Sequence, residues 1–123
     1  MKKQNKFSFK ARAKSFVFAL SGIRYFFRTQ HNAWIQLTAA AAATAAGLYF
    51  KINNTEWCWI IVCIGSVFAA ELFNTAIEAL TDLISPEKNE TAGRVKDLAA
   101  GAVLVVSITA VVIGLMIFVP KML

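Results

Sequence analysis

A row of polar side chains directly follows a stretch without charge, and this junction constrains the fold more than any other feature of the sequence. Residues 57–70 contain no Asp, Glu, Lys or Arg. Glu71 comes next, and the polar residues three, four, seven and eleven positions after it are Asn74, Thr75, Glu78 and Asp82. On an α-helix, this spacing places all five side chains on one face.

The carboxylates of this face need partners. An ionisable group at bilayer depth costs several kcal/mol unless it is partnered, so such groups usually mark function. Three carboxylates on one helix face also repel one another, and a bound cation relieves that repulsion. Carboxylate oxygens are ligands that Mg²⁺ prefers. The pattern therefore predicts a magnesium-dependent site on a membrane helix.

Composition supports a membrane protein. The chain has 123 residues, of which 58% are hydrophobic, and a mean hydropathy of +0.57. These values are too apolar for a soluble domain of this size. Crossing the hydrocarbon core takes roughly 20 apolar residues. Three stretches meet that requirement within a single domain covering residues 1–123, at about 33–50, 57–80 and 98–119.

The N-terminal region, about residues 7–29, predicts an amphipathic helix on the membrane surface. Basic residues alternate there with large apolar ones, such as Lys10 and Lys14 with Phe9 and Phe16. The basic side would face anionic lipid headgroups. A plain basic tail that only sets topology is the alternative.

Lysine and arginine counts predict the orientation. Eight of these residues precede the first span, among them Lys2 and Lys3, one lies in the 51–56 loop, three lie in 82–97 and one follows the last span. The N-terminus and the 82–97 segment are therefore expected in the cytoplasm and the C-terminus outside. The net charge of +6 then belongs to the membrane surface, and no nucleic-acid-binding module is visible.

The 82–97 segment adds candidate phosphate ligands. Pro86 disfavours helix at Ser85 and predicts a turn, after which Thr91 is expected to cap a new helix. Arg94 and Lys96 would lie on its first turns, where cations oppose the helix dipole but suit a bound phosphate. A positive-inside flank without any ligand explains the same charges.

Two motifs resemble the prokaryotic diacylglycerol kinase family, which includes undecaprenol kinases. The first runs from Glu71 through Asn74-Thr75-Ala76-Ile77-Glu78 to Asp82, and the second from Lys96-Asp97 through Ala99-Ala100-Gly101. The resemblance covers nearly the whole chain. It implies an all-α integral membrane protein, with a surface helix and three transmembrane helices, that forms a homotrimer in the bacterial inner membrane. It also implies transfer of the γ-phosphoryl of MgATP to the hydroxyl of a membrane lipid alcohol.

The resemblance assigns roles to individual residues. Glu71 is similar to the general base that acts on the lipid hydroxyl, and Asn74 to a positioning group beside it. Glu78 is similar to a metal ligand. The expected nucleotide-site residues, with Lys96 on phosphate, are Glu78, Asp82, Arg94, Lys96 and Asp97.

Gln30 departs from the family pattern, which usually has a metal-binding glutamate at this position. The amide keeps a neutral carbonyl ligand but removes a charge, and Glu78 with the nucleotide phosphates would have to compensate. The sequence leaves the acceptor open between diacylglycerol and undecaprenol.

Two other functions are compatible with part of the pattern. A catalytically impaired member acting as a membrane scaffold would explain Gln30. A small proton-coupled transporter would explain an intramembrane Glu71. The transporter is disfavoured because its site is expected near the midplane between structural repeats, and no repeat is visible.

The sequence also predicts a homo-oligomer. Carboxylates in hydrocarbon are too costly to face lipid, and one short chain offers them few partners. Small residues, among them Ala69 and Ala70 and the 99–101 segment, permit close approach of neighbouring helices.

Overall fold

The computed structural model describes residues 6–123, and Lys2 and Lys3 of the orientation argument lie outside this range. The described part contains four helices, α1 (Phe9–Thr29), α2 (His31–Phe50), α3 (Asn54–Ile84) and α4 (Glu90–Met122). The last three are long and apolar enough to cross a membrane. The all-α prediction and the predicted number of spanning helices are therefore confirmed.

The first helix lies beside the membrane-spanning part and contacts it at one end. Most of α1 is exposed, whereas Phe26 is buried. The Phe27 ring lies 5.3 Å from that of Trp34 and 6.1 Å from that of Phe68, between centroids. Trp34 Nε1 also donates a hydrogen bond to the Phe27 carbonyl oxygen, at 2.9 Å. These contacts hold the end of α1 against α3, one turn before Glu71.

A tight corner joins α2 to α3. Lys51 adopts a left-handed conformation (φ 52°) that ends α2. The Asn53 side chain then accepts from the Glu56 N–H at 2.9 Å, and the Glu56 side chain accepts from the Asn53 N–H at 3.1 Å. This reciprocal cap satisfies two backbone donors that the helix start would leave unpaired. The chain therefore reverses direction within three residues.

The main packing of the molecule is the antiparallel pair formed by α3 and α4. An ion pair closes each end of this pair, with 2.6 Å between Lys96 Nζ and Asp82 Oδ1 and 3.2 Å between Lys121 Nζ and Glu56 Oε2. The two ion pairs therefore lie at opposite ends of the helix pair, as one antiparallel register of α4 against α3 requires.

The start of α4 corrects one expectation. Asn89, not Thr91, caps the helix, because its extended backbone (φ −143°, ψ 164°) lets its Oδ1 accept from the Ala92 N–H at 2.8 Å. Asparagine is among the best N-cap residues, and it occurs two positions before the threonine. The turn that Pro86 predicts is confirmed, since α3 ends at Ile84 and α4 begins at Glu90.

Gly47 provides the first testable prediction. A Cβ atom at this position would lie 2.6 Å from Trp57 Cη2 and 3.1 Å from Ile52 Cδ1, both too close. We expect Gly47→Ala to lower stability by roughly 1–3 kcal/mol, the usual cost of overpacking. Thermal unfolding in detergent measures this.

Gly22→Ala is the matched control, because a Cβ at Gly22 meets nothing within 4 Å. Equal unfolding temperatures for the two variants would mean that the corner between α2 and α3 is not tightly packed.

Candidate active site at the end of the third helix

Among residues 6–123, Glu71 is the one charged residue that is buried. The residue is only 4% exposed, and residues 57–70 before it on α3 carry no charge. Ile60 and Val67, eleven and four residues earlier, are buried on the same helix face. The carboxylate therefore lies where an apolar face of α3 changes into a polar one.

Asn74 and Glu78 continue the polar face by one and two turns. Asn74 Nδ2 lies 3.5 Å from Glu78 Oε1, a long hydrogen bond. The Asn74 Oδ1 atom is buried and finds no hydrogen-bond partner within residues 6–123. A buried carbonyl without a partner costs free energy, so this oxygen is available for a hydroxyl or a metal ion. Thr75 is not available in this way, because its hydroxyl donates to the Glu71 carbonyl oxygen at 2.9 Å.

Lys96 joins this face from the neighbouring helix. Its ammonium group pairs with Asp82 at 2.6 Å, and the negative charge of Glu78 acts on it as well. Both partners of the ion pair are substantially exposed, which limits its contribution to stability. The structure therefore brings Glu78, Asp82 and Lys96 together where α3 and α4 meet the polar loop.

Arg94, Asp97 and Gln30 are less directly joined to this group. Arg94 Nη2 lies 3.3 Å from Glu90 Oε1 on its own helix, and both side chains are exposed. Asp97 is also exposed. Gln30 separates α1 from α2, and its Nε2 lies 3.4 Å from the Thr29 hydroxyl.

The oxygen atoms of this group are of the type that binds a hard cation, but there are too few of them to hold one alone. Carboxylate and amide oxygens suit Mg²⁺, and the unpartnered Asn74 Oδ1 adds one further oxygen. Within residues 6–123, however, no three His, Cys, Asp or Glu side chains come close enough to hold a metal ion. The residues thus fit Mg²⁺ only when other ligands, such as phosphate oxygens, complete its coordination.

A cavity of about 260 Å³, which the sequence did not predict, lies beside Asp82 and Lys96. The 85–89 loop and the first turn of α4 form its walls. Asn89 Nδ2 donates to Ser85 Oγ at 2.5 Å, and the Ser85 hydroxyl donates to the Glu87 carbonyl oxygen at 3.1 Å. Ser85 before Pro86 and the capping residue Asn89 were the features of the sequence that could have indicated this cavity. The cavity itself depends on how the loop folds back.

These features define a class of protein, namely an α-helical membrane protein with an acidic site where two spanning helices reach a polar loop. A family model described as prokaryotic diacylglycerol kinase matches residues 17–118. The chain therefore belongs to the prokaryotic diacylglycerol kinase family, and the resemblance inferred from the two motifs is confirmed.

Individual relatives agree with this result. The chain is 42% identical over 109 residues to an undecaprenol kinase of Bacillus subtilis, covering 89% of each protein. It is 38% identical to a diacylglycerol kinase of Synechocystis, covering 89% of this chain and 63% of that protein. It is 33% identical to a diacylglycerol kinase of Escherichia coli, covering 72% of this chain and 78% of that protein. The assignment of the chain to the lipid kinases is thereby confirmed.

Proposed function

We propose that this protein transfers the γ-phosphoryl group of MgATP to the hydroxyl of a membrane lipid alcohol. The main observation in support is that Glu71 is buried where one face of α3 changes from apolar to polar. A lipid hydroxyl can approach this carboxylate from the apolar side and a soluble phosphate donor from the polar side. The 42% identity to an undecaprenol kinase over 89% of both chains favours a polyprenol as the acceptor over diacylglycerol.

Glu71 is the proposed general base. Phosphoryl transfer needs a group that accepts the proton of the attacking hydroxyl and orients its oxygen. Asn74 is one turn away and is the proposed positioning group beside it, since its free Oδ1 can bind the metal. Burial at this point also excludes water, which would otherwise compete with the lipid for the phosphoryl group.

The polar residues beyond Glu71 are proposed to neutralise the charge of the nucleotide phosphates, together with a metal ion. Bound Mg²⁺ neutralises the phosphate oxygens and aligns them for transfer. Glu78 and the Gln30 carbonyl oxygen would hold the ion together with those phosphates. Lys96 would exchange part of its pairing with Asp82 for a phosphate oxygen, and Arg94 and Asp97 are the further nucleotide-site residues.

We place the site at the cytoplasmic surface of the bacterial inner membrane. The lysine and arginine counts support a cytoplasmic N-terminus and an external C-terminus. The exposed helix α1, with basic residues such as Lys10, Lys14 and Arg24, would lie on anionic headgroups. In this position, the contact between Phe27 and Phe68 keeps the part of α3 just before Glu71 at the level of the lipid headgroups.

A homotrimer is the proposed assembly. A single chain offers too few acidic or histidine ligands for a metal within its described part. Ala100 and much of the rest of α4 are exposed, which leaves small residues free for contact with another copy. A neighbouring subunit would then complete each site.

Glu71→Gln tests the base. We expect wild-type protein to phosphorylate polyprenols in mixed micelles and this variant to lose about 10²-fold or more in kcat, because the amide cannot accept the proton. Transfer of radiolabelled phosphate from ATP, measured with polyprenol and diacylglycerol acceptors, provides the rates.

Glu56→Gln is the control for this experiment, since it makes the same change on α3 far from the proposed site, and the thermal unfolding of both variants is measured because this change also removes the ion pair with Lys121. Near wild-type turnover by Glu71→Gln would remove Glu71 from its role. Wild-type protein that phosphorylates no lipid alcohol would favour the impaired scaffold that Gln30 suggests.

Two variants with opposite expected effects test the metal site. Glu78→Ala removes a proposed ligand, so transfer should nearly stop and the remaining activity should need more Mg²⁺. Gln30→Glu adds a carboxylate, so half-maximal activity should occur at a lower Mg²⁺ concentration. Activity titrations against Mg²⁺ give both values.

An unchanged titration for Glu78→Ala would contradict its assignment. A drop in activity for Gln30→Glu would show that the site depends on the amide.

Mixing two inactive chains tests the shared site. If Glu71 and Lys96 of one site come from different subunits, co-assembled Glu71→Gln and Lys96→Ala chains should regain activity that neither has alone. Each variant assembled by itself is the control. A monodisperse and fully active monomer would disprove the trimer proposal.

A further inference from the structure

A single residue, Gln30, joins the surface helix α1 to the first spanning helix. Helix α1 ends at Thr29 and α2 begins at His31. Gln30 between them has an extended backbone (φ −116°, ψ 118°), and its side chain makes no capping hydrogen bond to α2. A change in the angle between the two helices would therefore move the amide that is proposed to bind the metal ion. The position of this ligand depends on the contacts that fix the angle.

Trp34 fixes this junction by capping the end of α1. The last four carbonyl groups of a helix lack partners within the helix. Of those in α1, the Phe26 carbonyl oxygen accepts from the Gln30 N–H at 2.9 Å, and the Phe27 carbonyl oxygen accepts from Trp34 Nε1 at 2.9 Å. The second donor belongs to the first turn of α2, so its bond connects the two helices across Gln30. Rotation about Gln30 would break this bond.

Ring contacts extend the same connection to α3. The Trp34 ring meets the Phe27 ring edge-on, with 5.3 Å between centroids. The Phe27 ring in turn lies 6.1 Å from that of Phe68, which precedes Glu71 by three residues. The junction at Gln30 is therefore held beside the part of α3 that carries the candidate site.

The exposure of Trp34 separates its role from core packing. Trp34 is 57% exposed, whereas Phe26 and Ala33 beside it at the junction are 1% and 0% exposed. Shortening an exposed ring leaves no closed cavity, so the stability of the protein should depend little on it. A tryptophan near the end of a spanning helix usually anchors the helix at the membrane interface. The Trp34 N–H, however, is donated to the protein itself, which favours a role at the junction.

We infer that Trp34 is a positioning residue for the metal site, because its indole N–H holds the junction between α1 and α2 so that the Gln30 carbonyl oxygen reaches the ion. This inference rests on the proposed function, in which Gln30 is a metal ligand. Trp34 itself touches neither the metal nor the substrate. Loss of its hydrogen bond would let Gln30 move, and this would weaken metal binding rather than slow the chemical step.

Trp34→Phe tests the inference, since it removes the N–H and keeps an aromatic ring. We expect the Mg²⁺ concentration for half-maximal activity to rise about fivefold. This corresponds to about 1 kcal/mol, the usual net contribution of one hydrogen bond. The kcat at saturating Mg²⁺ should stay near that of wild type. Binding of Mn²⁺ together with a non-hydrolysable ATP analogue, measured without turnover by electron paramagnetic resonance of the free ion, should weaken by a similar factor.

Trp59→Phe is the matched control, because Trp59 is 53% exposed and lies near the start of α3, far from the junction. It should leave both the Mg²⁺ titration and Mn²⁺ binding unchanged. Gln30→Ala and the double variant complete the set. Trp34→Phe should add nothing to the effect of Gln30→Ala, because residues that act through one ligand are not additive. Thermal unfolding in detergent is measured for every variant.

Four results would overturn the inference. They are unchanged metal titrations for Trp34→Phe, an equal effect of Trp59→Phe, additive effects of Trp34→Phe and Gln30→Ala, and a lowered unfolding temperature or kcat of Trp34→Phe with an unchanged metal requirement. In each case, transfer by the wild-type protein keeps the proposed function intact. That function fails on a different result, namely wild-type protein that phosphorylates no lipid alcohol, and the Mn²⁺ measurements do not depend on transfer.

Discussion

The burial of one carboxylate at the end of an apolar helix face is the constraint on which the rest of the structure depends. Glu71 is 4% exposed, and a charge in such surroundings is tolerated only with partners. The same face of α3 is apolar before this residue and polar after it. This one position therefore separates the part of the molecule that suits lipid chains from the part that suits phosphates.

The pairing of α3 with α4 brings a cation to this face. The ion pairs at the two ends, Asp82 with Lys96 and Glu56 with Lys121, define the register of the helices. With that register, the cation of the second motif lies beside the carboxylates of the first. The Asp82–Lys96 pair is substantially exposed and contributes little to stability, whereas the side chains of Glu56 and Lys121 are only 20% and 29% exposed.

The small residues of the first span have two different effects. Gly47 permits contact with the Trp57 ring at the corner, whereas Ala39 and Ala46 leave a cleft between the helices. Atoms that line such a gap without a partner opposite them lose dispersion contacts.

The sequence by itself determined the helical class, the long apolar helices and the order of the motifs, because these depend on hydropathy and on helical spacing along one chain. It also identified Glu71, Asn74 and Glu78 as one face, since that follows from the 3.6-residue period. The cap at Asn89 was missed, because two good capping residues compete within three positions. Only the tertiary structure decided that Asp82 meets Lys96, that a loop cavity lies beside them and that Trp34 caps the end of α1. Each of these depends on how separate helices pack, and no local pattern encodes that distance.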